Sequence, residues 1–151
     1  MTLNSQIATV SASIARLTIS GVTIKNIDAI PDSAKMLCPL LIPQPDNFVS
    51  NLSFTRQTFG AMGAEKLDCS YTLNYVYLHC EVGSGLGAYA PYAGIISKIE
   101  TIIETIMAND TVSGAVDLQV GTIGNVGVIA DPAGVEFWGV QFSFNVLEHT
   151  Q

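Results

Sequence analysis

The chain has 151 residues, 48% of them hydrophobic and 13% charged, and six Lys and Arg against thirteen Asp and Glu leave a net charge of −7. A chain of this length buries roughly two-thirds of its unfolded surface without disulfides or metal, but with charge well below the usual ~25% part of its exterior is expected to be covered by copies of itself or other subunits. Basic residues scattered singly (Arg16, Lys25, Lys35, Arg56, Lys66, Lys98) exclude a phosphate-gripping surface, and no apolar run approaches the 18 residues of a membrane span.

Ile7, Val10, Ile14 and Leu17 recur at helical spacing, with Asn4 or Ser5 available as a cap and Gly21 beyond the end. The "GVTIKNID" that follows predicts a short strand, Val22 and Ile24 in phase. Next, "AIPDSAKMLCPLLIPQPDNF" holds four of the six prolines. Proline lacks an amide donor and blocks a long helix, which predicts one brief helical turn and extended backbone.

Phe48–Phe59 reads as a strand, with Leu52 and Phe54 on one parity and Val49 on the other. "GAMGAEK" reads as a turn. Beyond it Leu67, Cys69, Tyr71, Leu73, Tyr75 and Tyr77 alternate with Asp68, Ser70, Thr72 and Asn74, the pattern of a long half-buried strand that pairs antiparallel. The segments on either side of "GAMG" are expected to form a hairpin.

After "GSGLGAYAPYAG", a stripe of Ile95, Ile96, Ile99, Ile102, Ile103 and Ile106 predicts the strongest helix, with Lys98, Glu100, Thr101, Glu104 and Thr105 on its other face. Isoleucine is an indifferent helix former, so packing on a sheet must hold this element. Pro91 suits its first turn and Asn109-Asp110 its end. A strand within Val116–Ala130 is interrupted by Gly121, Gly124 and Gly127, leaving its register open. "DPAG" at Asp131–Gly134 fits a type I turn. In the closing strand Trp138, Val140, Phe142, Phe144 and Val146 alternate with Gly139, Gln141, Ser143 and Asn145. The order predicts a single α+β domain over 1–151: a mostly antiparallel sheet with the N-terminal helix and the long Ile-rich helix on one face.

Candidate chemistry is sparse. "GSGLGA" at Gly83–Ala88 matches G-x-G-x-x-A, yet the strand before it is alternating and half-polar, and no second strand ends in an acid about 20 residues on, as a dinucleotide site requires. It reads instead as a glycine-rich connection suited to an assembly contact. His79-Cys80 lacks companions at metal-ligand spacing, and Cys69 stands on the apolar parity of its strand, where a small core residue belongs. Cys38, Cys69 and Cys80 are odd in number and irregularly spaced, which disfavours a disulfide framework and suits a reducing compartment. "MTLNSQIATVSASIARL" lacks the basic head and apolar run of a secretory signal. Two histidines give little material for activating a nucleophile, and Glu100 with Glu104 marks a solvated helix face. Tyr71, Tyr75 and Tyr77 have no basic neighbours for stacking bases; core packing with hydroxyls at the rim is expected. No catalytic, cofactor or metal residue is assigned.

The N-terminal helix running into "GVTIKNIDAIP", the proline-rich "LCPLLIPQPDNF", the Tyr-rich strand, the Ile-rich helix and above all "IADPAGVEFWGVQFSFNVLEH" together resemble the tail-terminator (tail-completion) and neck proteins of long-tailed bacteriophages. The resemblance implies a non-enzymatic virion protein of the tail or neck, assembled in the host cytoplasm. Its copies form a ring, commonly a hexamer, that caps the head-proximal end of the tail tube, stops its growth and meets the head connector or stopper. Genomic DNA passes through unbound; six copies of a −7 chain carry −42, and acidic residues facing the channel keep the genome from sticking. Recognition is expected in three irregular segments, Pro39–Phe48, Gly60–Lys66 and Gly83–Tyr92, with Pro43, Pro45, Phe48, Met62, Lys66, Leu86, Tyr89 and Tyr92 as candidate contacts. The competing expectations are a stopper or adaptor between portal and tail, and a small-ligand binding domain using the Gly83–Gly87 loop.

Overall fold

The computed structural model describes residues 3–19, 21–26, 30, 38–44, 47–57, 66–82, 89–108, 116–124, 126–131 and 133–150. Its frame is two long neighbouring strands, β4 (Lys66–Glu81) and β7 (Glu136–Thr150), paired antiparallel from Leu67↔Thr150 to Glu81↔Phe137 with one irregularity between Leu78 and Cys80. Each is flanked by two shorter strands set end to end. On β4's outer side lie β3 (Val49–Gln57), opposite Lys66–Leu73, and β2 (Leu40–Pro43), opposite Tyr75–Leu78. On the outer side of β7 lie β5 (Val116–Ile123) and β6 (Gly127–Ala130). A short β1 (Thr23–Ile24) joins β2 in parallel, so the sheet is mixed and mostly antiparallel. With α1 (Leu3–Ala15) and α2 (Tyr89–Ala108), this is the expected α+β architecture.

The alternation of apolar residues decides which face is covered. Val10 and Ile14 of α1 and Ile95, Ile102 and Ile106 of α2 are buried with Cys69, Tyr71, Leu73, Tyr75 and Tyr77 of β4, Leu118 of β5, and Val140, Phe142, Phe144 and Val146 of β7. The Ile-rich stripe is narrower than the sequence suggests. Ile95, Ile99, Ile102 and Ile106 lie along one line at 3.6 residues per turn, whereas Ile96, a further 100° round, is half exposed. Helix α1 begins at Leu3, so Asn4 and Ser5 lie within its first turn and neither is the cap; the far end tightens through Arg16 N–H to Ser13 O and Leu17 N–H to Ile14 O. Gly21 (φ +73°) then allows the reversal in which Val22 N–H meets Ile19 O at 3.0 Å.

Three readings change. The proline segment carries a fully buried strand, β2, because Pro43 occupies the strand's last position and the ladder resumes at Gln44 N–H to Asn74 O, 2.9 Å; the anticipated helical turn lies outside the described residues. Strand β4 is half-buried in pattern only: every residue from Tyr71 to Leu78 is buried, since Val76 and Leu78 meet Leu40, Ile42 and Phe137 in a second apolar cluster on the sheet's other face. The glycine-interrupted segment divides into β5 and β6. The hairpin of β3 with β4 is as expected, Gln57 facing Lys66, and so is the closing turn, in which Gly134 N–H reaches Asp131 O at 2.9 Å and the Asp131 carboxylate accepts from Val135 N–H.

Candidate assembly surface

Large apolar side chains stand exposed on two opposite flanks of the sheet. Strand β3, on one edge, exposes Leu52 (47%) and Phe54 (51%). Phe54 pairs with Cys69 and so shares the helix-covered side of the sheet, yet its ring is left open. The other edge and the helix above it expose Val128 of β6 (49%), Ile123 of β5, and Ile96 and Met107 of α2. Val128 likewise pairs with Trp138, whose side chain joins the main core. Among the described residues no strand pairs with the outer side of β3 or of β5 and β6, so backbone amide and carbonyl groups line both flanks.

The sheet face away from the helices is polar over half its length. Asn51 Nδ2 donates to Thr72 Oγ1 at 3.4 Å and Thr72 Oγ1 to Asn145 Oδ1 at 3.1 Å. One step along, Asn74 Nδ2 donates to Ser50 Oγ and Ser143 Oγ to Asn74 Oδ1, at 3.0 and 3.2 Å. Both ladders cross β3, β4 and β7, and the first of them floors an open cleft of about 480 Å³ that also takes in Ser70, Gln119 and Leu147. Gly121 leaves room for the Asn145 amide: a β-carbon there would sit 2.8 Å from its nitrogen. Asn51 adopts φ +53° at the irregularity of β3, a conformation Asn tolerates better than most residues. The cleft offers uncharged amides and hydroxyls.

Three buried groups lie on the helix side. Tyr71 Oη donates to Glu148 Oε1 at 2.8 Å, and Glu148, almost fully buried, leaves Oε2 without a hydrogen-bond partner among the described residues. Burial first, then this bond and the carboxylate's charge, hold the Tyr71 hydroxyl protonated far above the ordinary phenol range. Burial and the Glu148 charge also raise Cys69. Tyr77 Oη and His79 Nδ1 share a 2.7 Å hydrogen bond beside α2, where a β-carbon on Gly94 would strike the imidazole. Burial, reinforced by the Lys98 charge, lowers the His79 pKa.

The sequence-predicted residues fare unevenly. Pro43 is buried within β2, and Phe48 turns its ring edge-on to Tyr75 at 5.8 Å, so both are tied into the interior because the Pro39–Phe48 segment supplies a strand of the sheet. Tyr92 is 39% exposed at the start of α2; its hydroxyl holds Val126 O at 3.1 Å and its ring lies 5.8 Å from Trp138. Lys66 opens β4 and Tyr89 opens α2. Pro45, Met62 and Leu86, with the Gly60–Glu65 tip and the Gly83–Ala88 loop, lie outside the described residues. Tyr71, Tyr75 and Tyr77 are core residues, but their hydroxyls stay inside instead of reaching the rim; burial pushes that of Tyr75 up to about 12. Cys69 is a core residue and Glu100 and Glu104 are exposed, as read. Sequence reading missed Phe54 and Val128 as surface groups, since alternation marks the core parity without marking where the covering helices stop. It also missed Glu148, which sits on the apolar parity of β7.

Among the described residues no three His, Cys, Asp or Glu side chains gather to hold a metal ion, and no helix is long and apolar enough to cross a membrane. No known family model matches the chain, and no curated protein matches it.

Proposed function

We propose that this chain is a structural subunit of a phage tail, a terminator whose copies join flank to flank in a closed ring, a hexamer, at the head-proximal end of the tail tube. The observation that carries the reading is the placement of exposed apolar side chains on opposite edges of one sheet, Leu52 and Phe54 on β3 against Ile123, Val128, Ile96 and Met107 on the β5, β6 and α2 side. A two-fold dimer needs one self-complementary patch, whereas a ring needs two different patches that fit each other. The rigid pair β4 and β7 spans between them and sets the angle from one copy to the next. The phage assignment itself rests on the sequence resemblance; with −7 on each copy, a ring of them repels the nucleic acid that passes through it.

The test is a mixing experiment. Phe54→Asp blocks one flank and Val128→Asp the other; each variant alone is expected to lose ring formation, read by light scattering at several concentrations with and without polymerised tail tubes. Mixed in equal amounts the two retain one good contact and form a dimer of unlike variants. Wild-type rings on one end of the tubes support the terminator role, and rings that ignore the tubes favour an adaptor. A wild-type chain that stays monomeric in both conditions, or a flank variant that assembles normally, overturns the reading.

A further inference from the structure

The open cleft on the sheet face away from the helices is bracketed by two irregularities. In β3 the chain takes three steps, from Ser50 to Ser53, while β4 takes two, from Thr72 to Ser70. In β5 it takes three, from Val120 to Ile123, while β7 takes two, from Phe144 to Phe142. Each outer strand thus carries one extra residue, the arrangement that bends a strand and re-aims a side chain. At the first, Asn51 stands in its left-handed conformation within hydrogen-bond reach of Thr72. At the second, Gly121 faces the Asn145 amide, where a β-carbon would meet its nitrogen and oxygen at 2.8 and 2.9 Å.

None of the residues lining the cleft carries a charge. Thr72 sits between two of its amides, accepting from Asn51 Nδ2 and donating to Asn145 Oδ1. A hydroxyl has one proton to give, so one neighbouring amide must turn its nitrogen to Thr72 and the other its oxygen. The Asn51 oxygen and the Asn145 nitrogen are left over, an acceptor and a donor on one floor. Gln119 is exposed and pairs with Asn145 in register, which brings a further amide to the same row. Leu147, 36% exposed, adds an apolar patch to the lining.

We propose that this cleft binds a neutral saccharide, its hydroxyls on the Asn51, Gln119 and Asn145 amides and the C–H face of one ring over Leu147. This is independent of the assembly reading. An anion would find no cation here, and an apolar ligand would strip water from the amides without replacing its hydrogen bonds. A sugar hydroxyl donates and accepts at once, as the left-over pair of groups requires, and a pyranose ring also has an apolar face. A cleft of about 480 Å³ falls within the range of small-molecule sites. Every contact replaces one to water, so binding is weak, with a Kd on the order of 1 mM.

The experiment titrates the full chain with maltose, cellobiose, lactose and N,N′-diacetylchitobiose. Binding is read by saturation-transfer NMR on the sugar, which serves a monomer and a ring alike. At least one of these sugars is expected to bind saturably. Asn51→Gly keeps the backbone angle and removes the amide, and Gln119→Ala trims an exposed side chain. Each should weaken the hold about three- to tenfold, the size of one lost hydrogen bond. Gln141→Ala, exposed but outside the cleft, should leave it unchanged. Should Asn51→Gly fail to fold, Gln119→Ala decides. Four results would each overturn the site: no saturable binding by any of the sugars, unchanged affinity in the cleft variants, an equal loss in Gln141→Ala, or an equally tight hold on N-acetyl-trialanine amide, which would mark a peptide groove instead.

Discussion

The two ends of the β4–β7 pair are built differently. From Tyr75 to Leu78 the strand is apolar on both faces: Tyr75 and Tyr77 join the helix-side core, and Val76 and Leu78 lie beside Leu40 and Ile42 of β2 and Phe137 of β7 in a buried cluster on the other. From Ser70 to Asn74 only the helix side is apolar, and the opposite side carries the Asn, Thr and Ser ladders. One strand, buried throughout from Tyr71 to Leu78, thus passes from a second face that is polar to one that is apolar, and its sequence changes with it, from strict alternation to the continuous run Tyr75-Val76-Tyr77-Leu78. The end where β2 joins buries an apolar cluster on the second face, while the other end keeps hydrogen-bonding amides and hydroxyls there.

The comparison can be broken most sharply at two facing glycines. Gly139 and Gly127 are directly paired between β7 and β6, yet a β-carbon on Gly139 would collide with the Tyr77 carbonyl oxygen while one on Gly127 meets nothing within 4 Å. Gly139→Ala is expected to cost at least about 3 kcal/mol because the obstacle is backbone, and Gly127→Ala to stay within about 0.5–1 kcal/mol, both by urea denaturation. Equal losses would mean that the apolar end is not as tightly set as described. The next contrast sets the two ends against each other. Leu78→Ala, which opens a hole in the second cluster, should lose about 3 kcal/mol. Thr72→Ala on the open end removes a hydroxyl that neighbouring amides and water can replace, and should lose about 1 kcal/mol or less.

The smallest effect is one of pH. His79 has a lower pKa in the folded chain than in the unfolded one, chiefly from burial and also from Lys98, with Tyr77 as its hydrogen-bond partner. The unfolded chain therefore binds the proton more readily. The stability from this site is fully present above the unfolded pKa, near 6.5, and is lost as pH falls from there through the folded value. Denaturation midpoints between pH 7.5 and 5 should fall more steeply for the wild type than for His79→Gln; parallel curves would remove His79 as the cause.

Much of this was legible before any coordinates. The β4 and β7 alternation, the β3–β4 hairpin, the Asp131–Gly134 turn and the existence of the Ile-rich helix all depend on local periodicity or turn chemistry, which neighbours in sequence express directly. The candidate surface was less so. Pro43 and Phe48 looked like loop contacts because proline disfavours a central strand, but Pro43 closes its strand where no donor is missed. Glu148 drew no reading of its own from the sequence, and only its register opposite Cys69 puts it beside Tyr71.

From residue order alone followed the class of the fold and the identity of its two long strands, because period and turn residues are properties of the chain itself. Tertiary structure alone decided that β4 meets apolar neighbours on both faces at one end and that the leftover apolar residues fall on opposite flanks. Those facts depend on which distant segments pair and where the helices cease to cover the sheet, and periodicity within one segment carries no information about either.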